Sequence, residues 1–209
     1  MVQHQVSTAA NQLVDVIQAL HSRGWCDGTG GNFSLVLERE PLRLLMAPSG
    51  VDKGRVQADH LIQVNRDGAV ISGSGKASAE TLLHLRIIDD CQAGAVLHTH
   101  SLTATLLSNH HQKLGGIQLE GWEMLKGLAG VTTHDTSVQI PIIANHQNLQ
   151  LLSQNAAAHL PNAAHGLLVA GHGLYAWGET LEAAQRHVEI LEFLLNLHWR
   201  QQLLHLSHS

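Results

Sequence analysis

The hydrophobic pattern opens in helical register. Leu13, Val16, Ile17 and Leu20 recur three and four apart, which predicts a helix from Thr8 to about His21 with Gly24 as its stop. The period then shortens to two. After the turn sequence Gly28-Thr29-Gly30-Gly31-Asn32, the run Phe33-Ser34-Leu35-Val36-Leu37 alternates and predicts a strand. Further short strands are expected near 42–47, 60–64 and 68–72, separated by the turn formers APSGVDKG and NRDG. Leu82, Leu85 and Ile88 restore helical spacing and predict a helix from Ser78 to about Asp90. Beyond it the pattern predicts a strand over 93–99, a helix from Leu102 to Ser108, and a short helix from Glu120 to Leu128. A strand from Val138 to Ile143, a helix from Gln147 to His159, a hairpin over 166–177 and a long amphipathic helix from Thr180 to Leu206 complete the chain. Strands linked by meander-like turns in the first half imply a mixed, largely antiparallel sheet covered by helices, not an alternating βαβ fold. In the last helix, Leu191, Leu194, Leu195 and Trp199 exceed one ordinary apolar face; core packing is the favoured account, with a subunit interface as the alternative.

A chain of 209 residues is expected to form a single domain over 1–209 with one sizeable core. Its apolar fraction of 44% and charged fraction of 14% are those of a soluble globular protein. A formal charge of −5 leaves no basic footprint for nucleic acid, so any phosphate must be bound by local groups. There is no run of eighteen or more apolar residues to span a membrane, and MVQHQVSTAANQLVD lacks the form of a signal peptide. Cys26 and Cys91 are distant and form no C-x-x-C, so no disulfide framework is indicated and a cytoplasmic location is expected. Histidine is the outlier, with 17 residues. Most must be surface or packing residues; His4, His110, His111, His205 and His208 are read as solvated.

The chemistry concentrates in a few places. His98 and His100, in AGAVLHTHS, lie two apart on an expected strand and so project to one side. His172 follows another apolar run in GLLVAGHGLYAWG. Three neutral imidazoles with an open fourth position suit a catalytic zinc site and point to a metal-dependent lyase. GTGGNFS is neither a Walker loop nor a dinucleotide fingerprint, since it enters a strand; GSGKAS fails as a P-loop at Val70 and Ala77. GTGGN can present backbone N–H groups to an anion, or simply make a tight turn. APSGVDKG, with Ser49, Gly50 and Lys53, and KASAE, with Ser78 at a helix start, add hydroxyls and amides that suit a phosphate monoester. Two acids are candidates for proton transfer. Glu80 is a first-turn acid that becomes a proton carrier, or a metal ligand in the absence of substrate, if a metal stands beside it. Glu123 has Trp122, Met124 and Leu125 around it, a setting expected to raise its pKa.

GGNFS, APSG, SAETLLH, HTHS and AGHGLYAWG occur in the order and spacing of the class II aldolase/adducin superfamily, which the chain resembles from about residue 8 to 198. EGWEMLKGLAGVTTHDTSVQIPIIANHQN resembles its dehydratase branch, whose substrate is a methylthioribulose 1-phosphate, more than its aldolases or epimerase. The resemblance implies a three-layer α/β/α fold with a central, mainly antiparallel sheet, and a homotetramer with active sites at subunit interfaces. It implies one zinc ion per subunit held by His98, His100 and His172, and a phosphate held at Gly31, Asn32, Ser49, Gly50 and Ser78. Where the aldolases have a double serine this chain has Ser78-Ala79, with Lys53 as the substitute donor. Glu80 matches the aldolase acid/base, and Glu123 that of the dehydratases. The proton-donor tyrosines of the aldolases and epimerases have no match, Tyr175 being the only tyrosine.

The implied function is zinc-dependent dehydration of 5-methylthioribulose 1-phosphate in methionine salvage. The alternative is a ketose-phosphate aldolase or epimerase acting through the same metal enediolate, with Glu80 as proton carrier. A non-catalytic scaffold of the adducin type is expected to lack the ligand set that this chain retains.

Overall fold

The computed structural model describes residues 2–206. The side chain of His4 and all of His208 lie outside the described residues. Helix α1 (Val2–Ser22) ends where Gly24 adopts φ 72°, a left-handed conformation that costs glycine little. The N–H groups of Gly24 and Trp25 then return to the carbonyls of His21 and Leu20, at 2.9 and 3.3 Å.

Among the described residues nine strands form the sheet: β1 (Asn32–Arg39), β2 (Leu42–Met46), β3 (Ile62–Val64), β4 (Val70–Ser72), β5 (Ala95–Thr99), β6 (Gly116–Glu120), β7 (Ser137–Ile143), β8 (Gly166–Val169) and β9 (Gly173–Gly178). Their order is β4-β3-β2-β1-β5-β9-β8-β7-β6, and every pairing is antiparallel except β7 with β8. The other helices are α2 (Thr81–Cys91), α3 (Leu102–His110), α4 (Leu149–Ala157) and α5 (Leu181–Leu206).

Strand alternation sorts the core into two layers. Ala95 and Leu97 of β5 join Leu174 and Ala176 of β9 in one cluster with α1, α3 and α5. Val96, Tyr175 and Trp177 point the other way, into a cluster with α2 and α4. This is the three-layer arrangement expected from the resemblance. Both faces of β5 are covered, which is why it reads as a continuous apolar run. Each fully buried Leu, Val or Phe contributes about 1.5–3 kcal/mol of transfer free energy, so the central strands form a rigid platform. Cross-strand register decides what that platform carries. Asn32 pairs with His98, and His98 with Tyr175, so these three stand side by side on the face covered by α2.

Several details refine or correct the expectations. The Glu120–Leu128 helix is instead the end of β6 followed by a 3₁₀ turn over Glu123–Gly127. Trp122, Leu125 and Leu128 recur every three residues, the 3₁₀ repeat, and the N–H groups of Leu125 and Leu128 bond three residues back. Strand β6 itself was not anticipated; only Ile117 and Leu119 mark it as alternating. Helix α2 begins at Thr81 rather than Ser78, because the Ser78 hydroxyl accepts the Glu80 N–H at 3.2 Å and closes a turn ahead of it. The apolar surplus of α5 belongs to the core, as favoured: Leu191, Leu194 and Leu195 are buried within their own chain, and Trp199 is partly buried against the same cluster. Among the histidines expected to be solvated, His111 is half-buried, with Gln202 at 3.0 Å and the His198 ring beside it. Both cysteines are free thiols.

Candidate metal centre and anion pocket

His98 lies near the end of β5, His100 follows that strand, and His172 sits in the turn between β8 and β9. Their Nε2 atoms converge: His100 lies 2.8 Å and His172 3.3 Å from His98. One donor atom from each of the three lies within 4.8 Å of the others. The His98 Nδ1–H donates to the Leu174 carbonyl at 2.9 Å, which leaves its Nε2 lone pair facing the other two rings. Burial, then the neighbouring His100 and His172, push the His98 pKa well below the imidazole range. Burial first, then His172 and Lys53, bring His100 down to about 4. His98 and His100 are therefore neutral at pH 7, the form that coordinates a metal. Three nitrogen donors on one side, with the remaining directions open, can hold one metal ion and keep a position for substrate.

Glu80 completes this cluster. Its Oε1 lies 3.1 Å from His172 Nε2 and its Oε2 3.8 Å from His98 Nε2. A buried relay fixes it. Ser34 Oγ donates to His84 Nδ1 at 2.7 Å, His84 Nε2–H to Asn32 Oδ1, and Asn32 Nδ2–H to Glu80 Oε2. Burial pushes His84 down to about 3, so this ring stays neutral and its two nitrogens keep opposite roles. Tyr175 stacks on His98, with ring centroids 3.8 Å apart and planes 9° from parallel. Its hydroxyl is buried with no partner in hydrogen-bond geometry. Burial, and then the Glu80 charge, hold its pKa well above the phenol range.

A cavity of about 150 Å³ adjoins the histidines, lined by Gly31, Asn32, Ser49, Gly50, Lys53, Ser78 and Glu80 among others. All six residues expected at the phosphate line this one cavity. Gly31 has φ 73°, and a Cβ there would lie 2.8 Å from the His98 carbonyl, so only glycine fits. Lys53 is 1% exposed and donates to the carbonyls of Thr29 at 3.0 Å and Val51 at 3.1 Å. It ties the two loops together and, having three donors, keeps one for a ligand. Burial lowers its pKa. The Ser49 N–H is engaged by the Lys76 carbonyl at 2.9 Å, leaving its hydroxyl. The Asn32 side chain is likewise committed, to Glu80 and His84. A second hollow of about 430 Å³ shares Ser49, Ser78, Glu80 and His172 with the first and continues past Asn145 and Leu149.

Glu123 stands apart. It does not line either hollow. Its side chain is 69% exposed and pairs with Lys126 at 2.8 Å and His134 at 3.4 Å. The apolar setting expected to raise its pKa is absent, because Leu125 turns inward while Met124 is itself exposed. The hydrogen bond from Lys126 lowers its pKa instead.

Ser34, His84 and the Tyr175 ring were not expected at the site. One signal was present for His84: it lies four residues after Glu80, on the same helical face. Ser34 and Tyr175 reach the site through strand register, which only the folded sheet reveals.

The model of the family described as class II aldolase and adducin N-terminal domain matches residues 11–199. A methylthioribulose-1-phosphate dehydratase of Xanthomonas euvesicatoria pv. vesicatoria is 40% identical over 189 residues, covering 90% of this chain and 86% of that protein. Another, of Hahella chejuensis, is 38% identical over 195 residues, covering 92% and 93%. The crystal structure of L-fuculose-1-phosphate aldolase from Thermus thermophilus superposes with a TM-score of 0.77 at 22% identity, covering 95% of this chain and 98% of that one. The last likeness establishes a common fold.

Proposed function

Since the chain belongs to the class II aldolase and adducin family, we propose that it dehydrates 5-methylthioribulose 1-phosphate to 2,3-diketo-5-methylthiopentyl 1-phosphate. The setting is methionine salvage in the cytoplasm, and the enzyme is a homotetramer with one zinc ion per subunit. One observation carries this reading: three imidazole Nε2 atoms converge beside a cavity of about 150 Å³ that Lys53, Ser49 and Ser78 all border. The relatives named as dehydratases supply the reaction and substrate.

His98, His100 and His172 would hold the zinc, which when bound supplies Lewis acidity that makes the proton beside the substrate carbonyl removable. Lys53, the hydroxyls of Ser49 and Ser78, and the backbone at Gly31, Asn32 and Gly50 hold the phosphate. Binding at that remote end orients the reacting carbons. Glu80, held by Asn32, is the carboxylate of the same chain placed to carry a proton at these carbons, or to face the metal when substrate is absent. Glu123 lies on the surface of its own chain, and in the tetramer it serves the site of a neighbouring subunit. There it takes the C3 proton and passes it to the C4 hydroxyl, which departs as water. The C3–C4 enol left behind tautomerises to the diketone, for a net loss of one water.

Incubating the zinc-loaded protein with methylthioribulose phosphate tests the reading, with diketone formation as the expected result. Appearance of dihydroxyacetone phosphate or glycolaldehyde from a sugar phosphate, without diketone, would replace it with retro-aldol cleavage through Glu80. A purified chain with no stoichiometric metal would return it to the scaffold class.

A further inference from the structure

Thr99 and Ser101 flank His100, and on an extended segment their side chains leave on the side opposite its imidazole. Both hydroxyls end on one carboxylate. Thr99 Oγ1 donates to Glu192 Oε1 at 2.7 Å, and Ser101 Oγ to Glu192 Oε2 at 2.5 Å. The Ser101 oxygen also accepts the Ala104 N–H at 3.0 Å to start α3, which leaves its proton for Glu192. Glu192 comes from α5 and is 4% exposed. A carboxylate is an expensive occupant of such a place: burial raises its pKa to about 7 despite the opposing pull of both hydroxyls. Leucine would pack there at lower cost. A carboxylate can do what leucine cannot, which is to grip a segment at two points and stop it from pivoting. The His100 N–H is held separately, by the Trp25 carbonyl at 2.7 Å.

We infer that Glu192 is a positioning residue for the metal centre: its two oxygens clasp the back of the 99–101 segment and keep His100 Nε2 aligned with His98 and His172. The inference rests on the three-histidine reading of the site. It goes beyond that reading by assigning α5, which contributes no ligand, a part in setting the coordination geometry.

Cobalt(II) tests this without substrate, because its visible absorption reports coordination geometry and a competing chelator reports affinity. In Glu192→Leu, which keeps the volume and removes both acceptors, metal affinity is expected to fall about 10–100-fold, with an altered cobalt spectrum. Thr99→Val and Glu192→Gln, which each remove part of the clasp, should give smaller losses in the same direction. Affinity within about twofold of the parent and an unchanged spectrum in Glu192→Leu would overturn the inference. Should that variant not fold, unchanged values in both milder variants would do the same. A chain that behaves as expected with cobalt yet forms no diketone overturns the proposed reaction and leaves the role of Glu192 standing. A parent chain that takes up no stoichiometric cobalt overturns both.

Discussion

Glu80 and Glu123 are carboxylates of one chain in opposite surroundings. The Glu80 side chain is 15% exposed, touches two imidazoles, and is held by Asn32 at the end of a buried relay. Glu123 is 69% exposed and paired with two cationic or protonatable neighbours. The first is a completed site, already oriented by its own chain. The second is a surface side chain on a segment anchored further along: the Ala129 N–H donates to His187 Nε2 at 3.1 Å, and His187 Nδ1–H donates to the Trp177 carbonyl at 2.6 Å. Two acids that look alike in sequence therefore differ in whether their own chain orients them.

The sharpest way to break this comparison is to separate the two acids onto different chains. Glu80→Gln and Glu123→Gln are each expected to lower kcat about 10²–10⁴-fold while retaining metal. Mixing the two inactive proteins under conditions of subunit exchange should restore about a quarter of parental activity, since a mixed interface can pair an intact Glu80 with an intact Glu123. No recovery after verified exchange would place Glu123 in the site of its own chain. A smaller effect follows from the relay. Asn32→Ala should reduce kcat about tenfold in the parent and in Glu123→Gln, but add little on Glu80→Gln, because it acts through Glu80. Equal losses in all three backgrounds would detach Asn32 from that role.

Acid should sharpen the contrast in stability rather than rate. His187 is pushed down to about 4 and His84 to about 3, mainly by burial. In both cases the folded pKa lies below the unfolded value of about 6.5, so the unfolded chain binds more protons on acidification. Their stabilisation is complete above the unfolded value and is lost as pH falls towards the folded one. His187 alone should remove about 3 kcal/mol by pH 4, and His84 continues the loss towards pH 3. Urea midpoints measured from pH 7 to 4 should fall accordingly, and more gently in His187→Phe. The least effect is expected from Lys126→Ala. It should let the Glu123 pKa rise, moving the acid limb of the pH–rate profile upward, with no change in melting temperature. An unmoved acid limb would remove Glu123 from the titration that governs turnover.

The sequence was most informative where pattern and chemistry are local. The helix stop at Gly24, the strand that carries His98, the hairpin around His172 and the glycine turn before β1 were all readable, because each depends on a few consecutive residues. The 3₁₀ turn at Glu123 was misread as a short α-helix because three apolar residues three apart satisfy either repeat. The partners of Glu80 were unreadable for a different reason. Asn32, His98 and Tyr175 meet only because β1, β5 and β9 are neighbours in a fixed register, and register is a property of paired strands.

By itself, then, the amino-acid order determined most of the elements, the identity of the three imidazoles and the residues that line the cavity beside them. Residue type and short-range spacing are enough for that. Tertiary structure alone decided that Glu80 is oriented and Glu123 is not, that Asn32 serves a carboxylate, and that Glu192 grips the strand behind His100. Those outcomes depend on which side chains lose water together, and burial is settled by the packing of distant segments.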